Sequence, residues 1–151
     1  MNKIEKGSSL YSNGGESITK VLAEEVKCGF TENGAGVVRL FGLNYSLTMF
    51  IPTMTAMKIV EFREPRLRND PRKSIIDLLG DQIRRMDIKE LYIDEISDRG
   101  IYSSVLILED ENIRMVPSEG ILLCSITGST VYFESELEGV EKMEQKESKY
   151  L

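Results

Sequence analysis

Apolar and polar residues alternate most regularly between residues 92 and 116, in three short runs rich in β-branched and aromatic residues. The first two runs, 92–96 and 101–108, flank a polar turn that contains a glycine, which is typical of a β-hairpin. The third run, 113–116, ends at Pro117, which cannot donate a hydrogen bond to a neighbouring strand. The pattern therefore predicts three consecutive antiparallel strands.

A buried helix is predicted directly after the third strand, where an almost continuous apolar run begins. Ser118 suits the N-cap, and Glu119 lies in the first turn, where the helix dipole favours a negative charge. Gly128 is suited to end the helix because glycine readily adopts the left-handed conformation. Residues 130–133 then return to the β pattern and predict another strand.

The N-terminal half predicts three more strands and one helix. The strands span 19–30, 37–41 and 43–51, and the first two are joined by a glycine-rich turn. Pro52 and residue 53 open the helix, in which apolar residues recur at near-helical spacing.

A second helix, 71–86, has the best-defined sequence signals in the chain. Asp70 suits its N-cap and Pro71 its first helical position. The apolar residues that follow recur at helical spacing and predict one buried face. That face consists of Ile75, Ile76, Leu78, Leu79, Ile83 and Met86.

The length and composition favour one α+β domain, with a mostly antiparallel β-sheet and two or three packed helices. The chain has 151 residues, of which 41% are hydrophobic and 29% charged, enough to bury a core. We expect a flexible N-terminal lead at 1–18, the folded domain at 19–135, and an acidic C-terminal helix or tail at 136–151.

The residue inventory excludes several kinds of catalytic site. The chain has no histidine, which rules out Ser-His-Asp and Cys-His catalysis and histidine ligation of zinc. Cys28 and Cys124 are too few and too far apart in sequence to predict a disulfide framework. No secretory signal or membrane-spanning run is visible, so we expect a cytoplasmic protein that does not bind membranes.

One basic segment, 63–73, stands out against a net charge of -6. Five cations against two acids, Glu64 and Asp70, give this segment a charge of +3. Arginine can bind phosphate oxygens through two parallel hydrogen bonds, so the segment is a candidate nucleic-acid contact. The alternative is a solvated loop whose cations pair with nearby acids. The five cations are Arg63, Arg66, Arg68, Arg72 and Lys73.

Three short motifs resemble those of a known family. Residues 116–123 read Val-Pro-Ser-Glu-Gly-Ile-Leu-Leu, and residues 47–56 read Leu-Thr-Met-Phe-Ile-Pro-Thr-Met-Thr-Ala. They resemble the Arg-Pro-Ser-Asp-Ala-Ile-Ala-Leu and Leu-Pro-Ile-Trp-Ile-Gly-Pro-x-Glu-Ala segments of the bifunctional nuclease domain family. Residues 68–70, Arg-Asn-Asp, stand where that family has Thr-His-Asp. The resemblance covers about residues 20–135, in the same order of elements.

The resemblance implies a nuclease that hydrolyses phosphodiester bonds of DNA or RNA. Its catalytic residues would be Glu119, Asp70 and Ser118, and Arg114 would join the basic segment in binding nucleic acid. Because the chain has no histidine, such a site would use Mg²⁺ or another divalent cation held by carboxylates. The candidate ligands are Asp70, Asp94 and Glu119.

Several positions depart from the family pattern. Arg114 stands where the family has Asp, Thr55 where it has Glu, and Asn69 where it has His. These substitutions and the acidic surface favour an alternative function, a catalytically silent binding or assembly module with the same fold. We therefore expect weak or absent nuclease activity.

The hairpin at 92–108 also predicts self-association. Its strands are rich in isoleucine, valine, leucine and tyrosine, and an uncovered edge of that kind pairs readily with another copy. We therefore expect a homo-oligomer.

Overall fold

Two β-sheets and four α-helices make up the structure, a computed structural model that describes residues 19–68 and 71–143. The helices are α1 (Thr53–Arg63), α2 (Ile75–Leu78), α3 (Gly80–Arg84) and α4 (Pro117–Thr127), and a 3₁₀ turn, Pro65–Leu67, follows α1. The strands are β1 (Lys20–Leu22), β2 (Glu25–Phe30), β3 (Gly36–Gly42), β4 (Tyr45–Ile51), β5 (Ile88–Ile96), β6 (Tyr102–Leu108), β7 (Asn112–Met115), β8 (Thr130–Glu134) and β9 (Val140–Lys142).

The larger sheet has the strand order β1-β8-β5-β6-β7, and the smaller has the order β2-β3-β4-β9. Neighbouring strands are antiparallel except for β5 and β8, which are parallel. The predicted α+β class with mostly antiparallel strands is therefore confirmed. The strands form two sheets, however, and two of the helices are very short.

Helices α1 and α4 join the two sheets into one hydrophobic core. Helix α1 packs on β2 and β3, α4 packs on β5, β6 and β8, and the two helices pack against each other. The close approach of α4 depends on Gly120, where an added Cβ atom would overlap the side chain of Leu91. The largest completely buried side chains come from both sheets and both helices: Phe133, Leu40, Leu47, Ile59, Leu91, Ile93, Leu106 and Ile121.

Helix α4 forms almost where the sequence predicts it. The helix begins at Pro117, one residue before the predicted N-cap Ser118, and Val116 occupies the cap position in an extended conformation. Its end is as predicted, because Gly128 adopts the left-handed conformation with φ 80° and donates its N–H to the Cys124 carbonyl. Local signals were sufficient here because proline and glycine restrict or permit backbone angles regardless of their surroundings.

The single strand predicted for 19–30 is wrong, because the chain changes sheets in its middle. The Ala23 N–H donates to the Val131 carbonyl at 2.8 Å in the larger sheet. The next residue, Glu24, donates its N–H to the Phe41 carbonyl at 2.8 Å in the smaller sheet. Strands β1 and β2 therefore belong to different sheets although only two residues separate them.

The predicted helix 71–86 is also wrong in extent and in orientation. Helix α2 begins only after Ser74, whose N–H donates to the Asp77 carboxylate at 2.8 Å, and α3 follows it after Leu79. Of the predicted buried face, Ile83 is buried and Ile76 packs partly against the core. Ile75, Leu78 and Leu79 are exposed because the inward side of α2 carries the ion-paired Asp77. Met86, beyond the end of α3, is also exposed.

Two further predictions about the strands and the C-terminus need correction. The hairpin does not present an uncovered edge, because β5 lies between β6 and β8, and β6 lies between β5 and β7. The predicted C-terminal helix is wrong for Val140–Lys142, which pairs with β4 as a strand. The remaining tail, 144–151, and the predicted lead, 1–18, lie outside the described residues. No helix in the described part of the chain is long and apolar enough to cross a bilayer.

Candidate functional site

The predicted catalytic residues occupy different environments. Ser118 is buried in the first turn of α4, and Glu119 beside it is exposed to solvent. Asp70 lies outside the described residues. Within residues 19–68 and 71–143, no three or more histidine, cysteine or acidic side chains are grouped to hold a metal ion.

Asp94 is held in an ion pair by Arg114. The guanidinium donates hydrogen bonds to both carboxylate oxygens, at 2.6 Å and 3.3 Å, and lies 3.7 Å from Glu95. The hydrogen bond to Asp94 is the main reason why the pKa of Arg114 is raised. This pair neutralises the charge that Arg114 would offer to a phosphate and the charge that Asp94 would offer to a cation.

Asp94 and Glu119 belong to opposite faces of the larger sheet. The Asp94 carboxylate binds Arg114 on β7. Arg114 pairs with Val105 on β6, and Val105 pairs with Tyr92 on β5, on the face of the sheet away from the helices. Glu119 belongs to α4, which packs on the other face. The two carboxylates therefore do not fit the shared Mg²⁺ site that the family resemblance implies.

The cations of the predicted basic segment have separate partners. Arg63 donates from Nε to the Ser125 hydroxyl at 2.8 Å, and burial lowers its pKa. Arg66 is 83% exposed and lies 3.2 Å from Glu64. Arg68 pairs with Asp77 at 3.2 Å, whereas Arg72 and Lys73 are exposed before α2. Three of the five cations, Arg63, Arg66 and Arg68, therefore each have a polar or acidic partner within the chain.

A buried ionic cluster joins α1 to α2, and the sequence analysis missed it. The Lys58 ammonium lies 3.0 Å from Glu61 Oε1 and 3.0 Å from Asp77 Oδ2, and Arg68 lies on the other side of Asp77. The side chains of Lys58, Glu61 and Asp77 are between 4% and 9% exposed. The available signal was the pair of charged residues three positions apart on α1.

Hydrogen bonds within this cluster stabilise its charged forms. Burial acts to raise the pKa of Asp77, but hydrogen bonds from Ser74 and Lys58 outweigh it and hold that pKa well below its usual range. Burial acts to lower the pKa of Lys58, yet hydrogen bonds to Glu61 and Asp77 raise it. Two cations and two carboxylates balance in charge, and the ion pairs of Asp77 with Lys58 and Arg68 tie α2 to α1 and to the segment after it.

The smaller sheet offers a different candidate interface on the side away from α1. Directly paired residues on antiparallel strands share a face, and here Lys27 pairs with Arg39, which pairs with Thr48. We call this outer surface the open face, and its central positions are Lys27, Gly29, Val37, Arg39, Phe41, Thr48 and Phe50.

Two cations on the open face lie over one aromatic ring. The Arg39 guanidinium is 5.3 Å and the Lys27 ammonium 5.7 Å from the centroid of the Phe41 ring. Arg39 also donates from Nε to the Thr48 hydroxyl at 3.0 Å. In the part of the chain that the structure describes, no carboxylate lies within ion-pair distance of Arg39, whereas Glu25 lies 3.7 Å from Lys27.

The arrangement of charge on the open face suits an anion. Like charges directly opposite each other on neighbouring strands destabilise a sheet, and Lys27 and Arg39 are such a pair. An anion placed between them would remove this repulsion and accept hydrogen bonds from both. Phe50 lies on the same face two residues beyond Thr48, and its ring is 74% exposed. The face therefore combines two neighbouring cations with an exposed aromatic side chain.

Sequence reasoning missed the open face because the face depends on strand register. Because side chains alternate along a strand, Lys27 and Gly29 lie on the same side of β2, Arg39 and Phe41 on the same side of β3, and Thr48 and Phe50 on the same side of β4. Only the pairing of β2 with β3 and of β3 with β4 brings these three short patterns together.

Comparison with known proteins supplies no family for the chain, since neither a protein-family model nor a curated protein matches it. The motif resemblance to the bifunctional nuclease domain family stays a prediction from the sequence.

Proposed function

We propose that this protein binds nucleic acid on the open face and does not cleave it. The observation that carries the proposal is the pair Lys27 and Arg39, directly opposite each other beside Phe41. The partner is the nucleic acid expected from the sequence, and the contact is the smaller sheet rather than the basic segment.

Phosphate binding follows from the chemistry of the two cations. The Arg39 guanidinium presents several N–H donors in one plane, which match the oxygens of a phosphate. The Thr48 hydroxyl accepts a hydrogen bond from Arg39 Nε and so fixes the orientation of the guanidinium, whose terminal N–H groups remain available to a phosphate. Lys27 adds a second positive charge from the neighbouring strand. Each phosphate bound in this way releases counterions, which makes binding dependent on salt.

The exposed ring of Phe50 favours single-stranded over double-stranded nucleic acid. A base in a single strand can stack on an aromatic side chain, whereas bases in a duplex are already stacked on each other. Phe50 lies one row beyond the Arg39–Thr48 pair, and successive rows on one face of a strand are about 7 Å apart. A phosphate and its attached base can therefore contact the two sites together.

The acidic surroundings predict modest affinity. The whole chain carries a net charge of -6, and Glu25 lies in the row next to Lys27. Glu141 also lies on this side of the sheet, since it pairs with Ser46, so Lys27 and Arg39 attract a polyanion only locally. We therefore expect binding at low salt and release as salt rises.

Two relationships support binding without hydrolysis. The Asp94 carboxylate is occupied by Arg114, and the Glu119 carboxylate lies on the other side of the larger sheet. Metal-assisted hydrolysis requires acids that converge on one cation. The nuclease function implied by the motif resemblance therefore has less support than binding.

Fluorescence anisotropy with a labelled single-stranded oligonucleotide tests the proposal. Arg39→Glu should weaken binding at least about tenfold and reduce the dependence of affinity on salt, because a phosphate contact is lost. Phe50→Ala should weaken binding by about tenfold through lost stacking. Lys89→Glu is the matched control, because it also reverses an exposed cation but belongs to β5 of the other sheet.

Other outcomes would decide against the open face. Loss of binding in Arg66→Glu with unchanged binding in Arg39→Glu would show that the basic segment is the contact. An absence of binding by the wild type at low salt would contradict the proposal as a whole. The same oligonucleotides incubated with Mg²⁺, Mn²⁺ or EDTA should stay intact on a denaturing gel. Metal-dependent cleavage that is lost in Glu119→Gln would establish the nuclease function instead.

A further inference from the structure

Gly29 lies inside β2, where the fold gives no reason for a glycine. A glycine within a strand weakens it and usually marks a bulge, a left-handed backbone or the close approach of other atoms. The register of β2 with β3 runs from Glu25 to Phe30 without a shift, and the φ angle of Gly29 is not in the left-handed region. In residues 19–68 and 71–143, no atom lies within 4 Å of a Cβ atom added to Gly29. The missing side chain therefore leaves open space above the strand.

The two glycines of β3 differ from Gly29 in this respect. A Cβ atom added to Gly36 would lie 2.7 Å from the Ala56 Cβ atom. One added to Gly42 would overlap the Leu22 carbonyl oxygen. Packing within the protein therefore accounts for the glycines of β3, whereas the space at Gly29 is open to a ligand.

The open space belongs to a row of residues that crosses the open face and ends at Phe50. Gly29 pairs with Val37, and Val37 pairs with Phe50. Because neighbouring strands are about 4.8 Å apart, the backbone of Phe50 lies about 10 Å from that of Gly29. Gly29 has no side chain and the short Val37 side chain is half-buried, whereas Phe50 is 74% exposed. The row is therefore low over β2 and β3 and has an exposed aromatic side chain on β4.

The cations of the open face lie in the adjacent row. Lys27 and Arg39 are two residues along β2 and β3 from Gly29 and Val37, a separation of about 7 Å. A phosphate held between the two cations therefore lies over β2 and β3. The sugar and base attached to it can reach the low part of the next row, beside Phe50.

The row on the other side of the cations is less suitable for a nucleotide. Its two carboxylates repel phosphate, and the Phe41 ring already contacts both cations. We therefore expect the nucleotide to extend toward Gly29. The members of this acidic row are directly paired: Glu25, Phe41, Ser46 and Glu141.

We propose that Gly29 makes room for a base, so that the open face selects nucleic acid over polyanions that lack bases. The base attached to a phosphate between Lys27 and Arg39 lies over Gly29 and Val37 and stacks against Phe50. Gly29 is thus a specificity-determining residue, because any side chain at this position occupies the place of the base. Base selection rests on the proposed nucleic-acid binding and adds the part of the ligand that the face distinguishes.

Two oligonucleotides of equal length and equal charge test base selection by fluorescence anisotropy. One is a labelled single strand of DNA, and the other has an abasic sugar at every position. The wild type should bind the first at least about fivefold more tightly, as expected for a base stacked on an aromatic side chain. Gly29→Leu should lose this preference and bind both strands with the affinity that the wild type has for the abasic strand.

Controls separate this effect from a lost phosphate contact and from a damaged fold. Gly29→Leu should leave the dependence of affinity on salt unchanged, whereas Arg39→Glu should reduce it. Thr130→Leu adds the same side chain at an exposed strand position of the larger sheet and should keep the wild-type preference. The melting temperature of Gly29→Leu should stay close to that of the wild type. If this variant does not fold, Gly29→Thr serves the same test with a residue that favours strands.

Different results contradict base selection and nucleic-acid binding. A wild type that binds both strands equally, or a Gly29→Leu variant that keeps the preference for bases, would overturn the role of Gly29 while phosphate binding on the open face stands. Equal weakening of both strands by Gly29→Leu would also overturn it, because leucine would then disturb the phosphate contact. A wild type that binds neither strand at low salt would contradict the proposed function and base selection together.

Discussion

The ammonium of Lys58 on α1 lies 3.0 Å from Oδ2 of Asp77 on α2, and both side chains are almost completely buried. This ion pair connects the helix on the smaller sheet to the segment that was expected to form a long core helix. It explains why the apolar side chains of α2 face outward, since the position that points inward is taken by the Asp77 carboxylate.

Removing Lys58 should destabilise the protein strongly. Lys58→Met keeps the length of the side chain but leaves Glu61 and Asp77 buried without their common cation. Breaking a buried ion pair in this way costs about 3 kcal/mol or more in free energy of unfolding. Urea denaturation of wild type and variant measures the difference. Lys89→Met, which removes a cation paired on the surface with Asp87 and Glu109, should leave stability unchanged.

Acid should weaken the fold through Asp77. Its pKa is held below the usual range in the folded state, so the carboxylate contributes stability above about pH 4 and loses it as pH falls further. The pKa of Lys58 is raised, so its contribution is present below about pH 10 and is lost as pH rises through the folded value. The difference in unfolding free energy between wild type and Asp77→Asn should therefore narrow below about pH 4. A constant difference down to pH 2 or so would contradict this linkage.

The corner between the two sheets should not tolerate a side chain at Gly42. An added Cβ atom there would overlap the Leu22 carbonyl oxygen and lie 3.0 Å from Val21 Cγ1. Because β1 is hydrogen-bonded to β8, that carbonyl cannot move freely. Gly42→Ala should cost about 2–3 kcal/mol, measured by urea denaturation.

Gly29 provides the control for that substitution in the same sheet. No atom lies within 4 Å of a Cβ atom added there. Gly29→Ala should therefore raise stability by about 0.5 kcal/mol, because alanine loses less backbone entropy on folding. Equal stability of the two variants would show that the corner is not rigid.

The thiols should be unreactive in the folded protein. Burial raises the pKa of Cys124 to about 12 and also raises the pKa of Cys28, so little thiolate exists near neutral pH. Alkylation by iodoacetamide, followed by mass spectrometry, should label Cys28 slowly and Cys124 only after unfolding. Rapid modification of Cys124 in the native state would mean that α4 opens locally.

The sequence by itself determined the elements whose signals are local. The end of α4 follows from Gly128, which permits a left-handed C-cap, whereas its start was predicted too late, with Ser118 as the N-cap and Pro117 as the end of the strand. The strands β6 and β8 follow from β-branched runs bounded by turns. Proline, glycine and alternation act on backbone angles within a few residues, so they predict an element without knowledge of its neighbours.

Tertiary structure decided which surfaces these elements meet. Alternation places Lys27, Arg39 and Phe50 on one side of three separate strands, but only the register of β2, β3 and β4 makes them one open face. Residues 19–30 have one continuous β pattern, yet hydrogen bonds to Val131 and Phe41 divide them between two sheets. The physical reason is that a strand has the same backbone donors and acceptors whatever strand it joins, so its partner is chosen by packing in the whole molecule.

The segment 71–86 shows the same limit for a helix. Its apolar spacing predicts a helical surface correctly but does not show whether that surface faces the core or solvent. Lys58, more than a dozen residues earlier, binds Asp77 and turns the leucines of α2 outward. Helical periodicity is a property of the segment, whereas the direction in which the helix faces depends on a partner elsewhere in the chain.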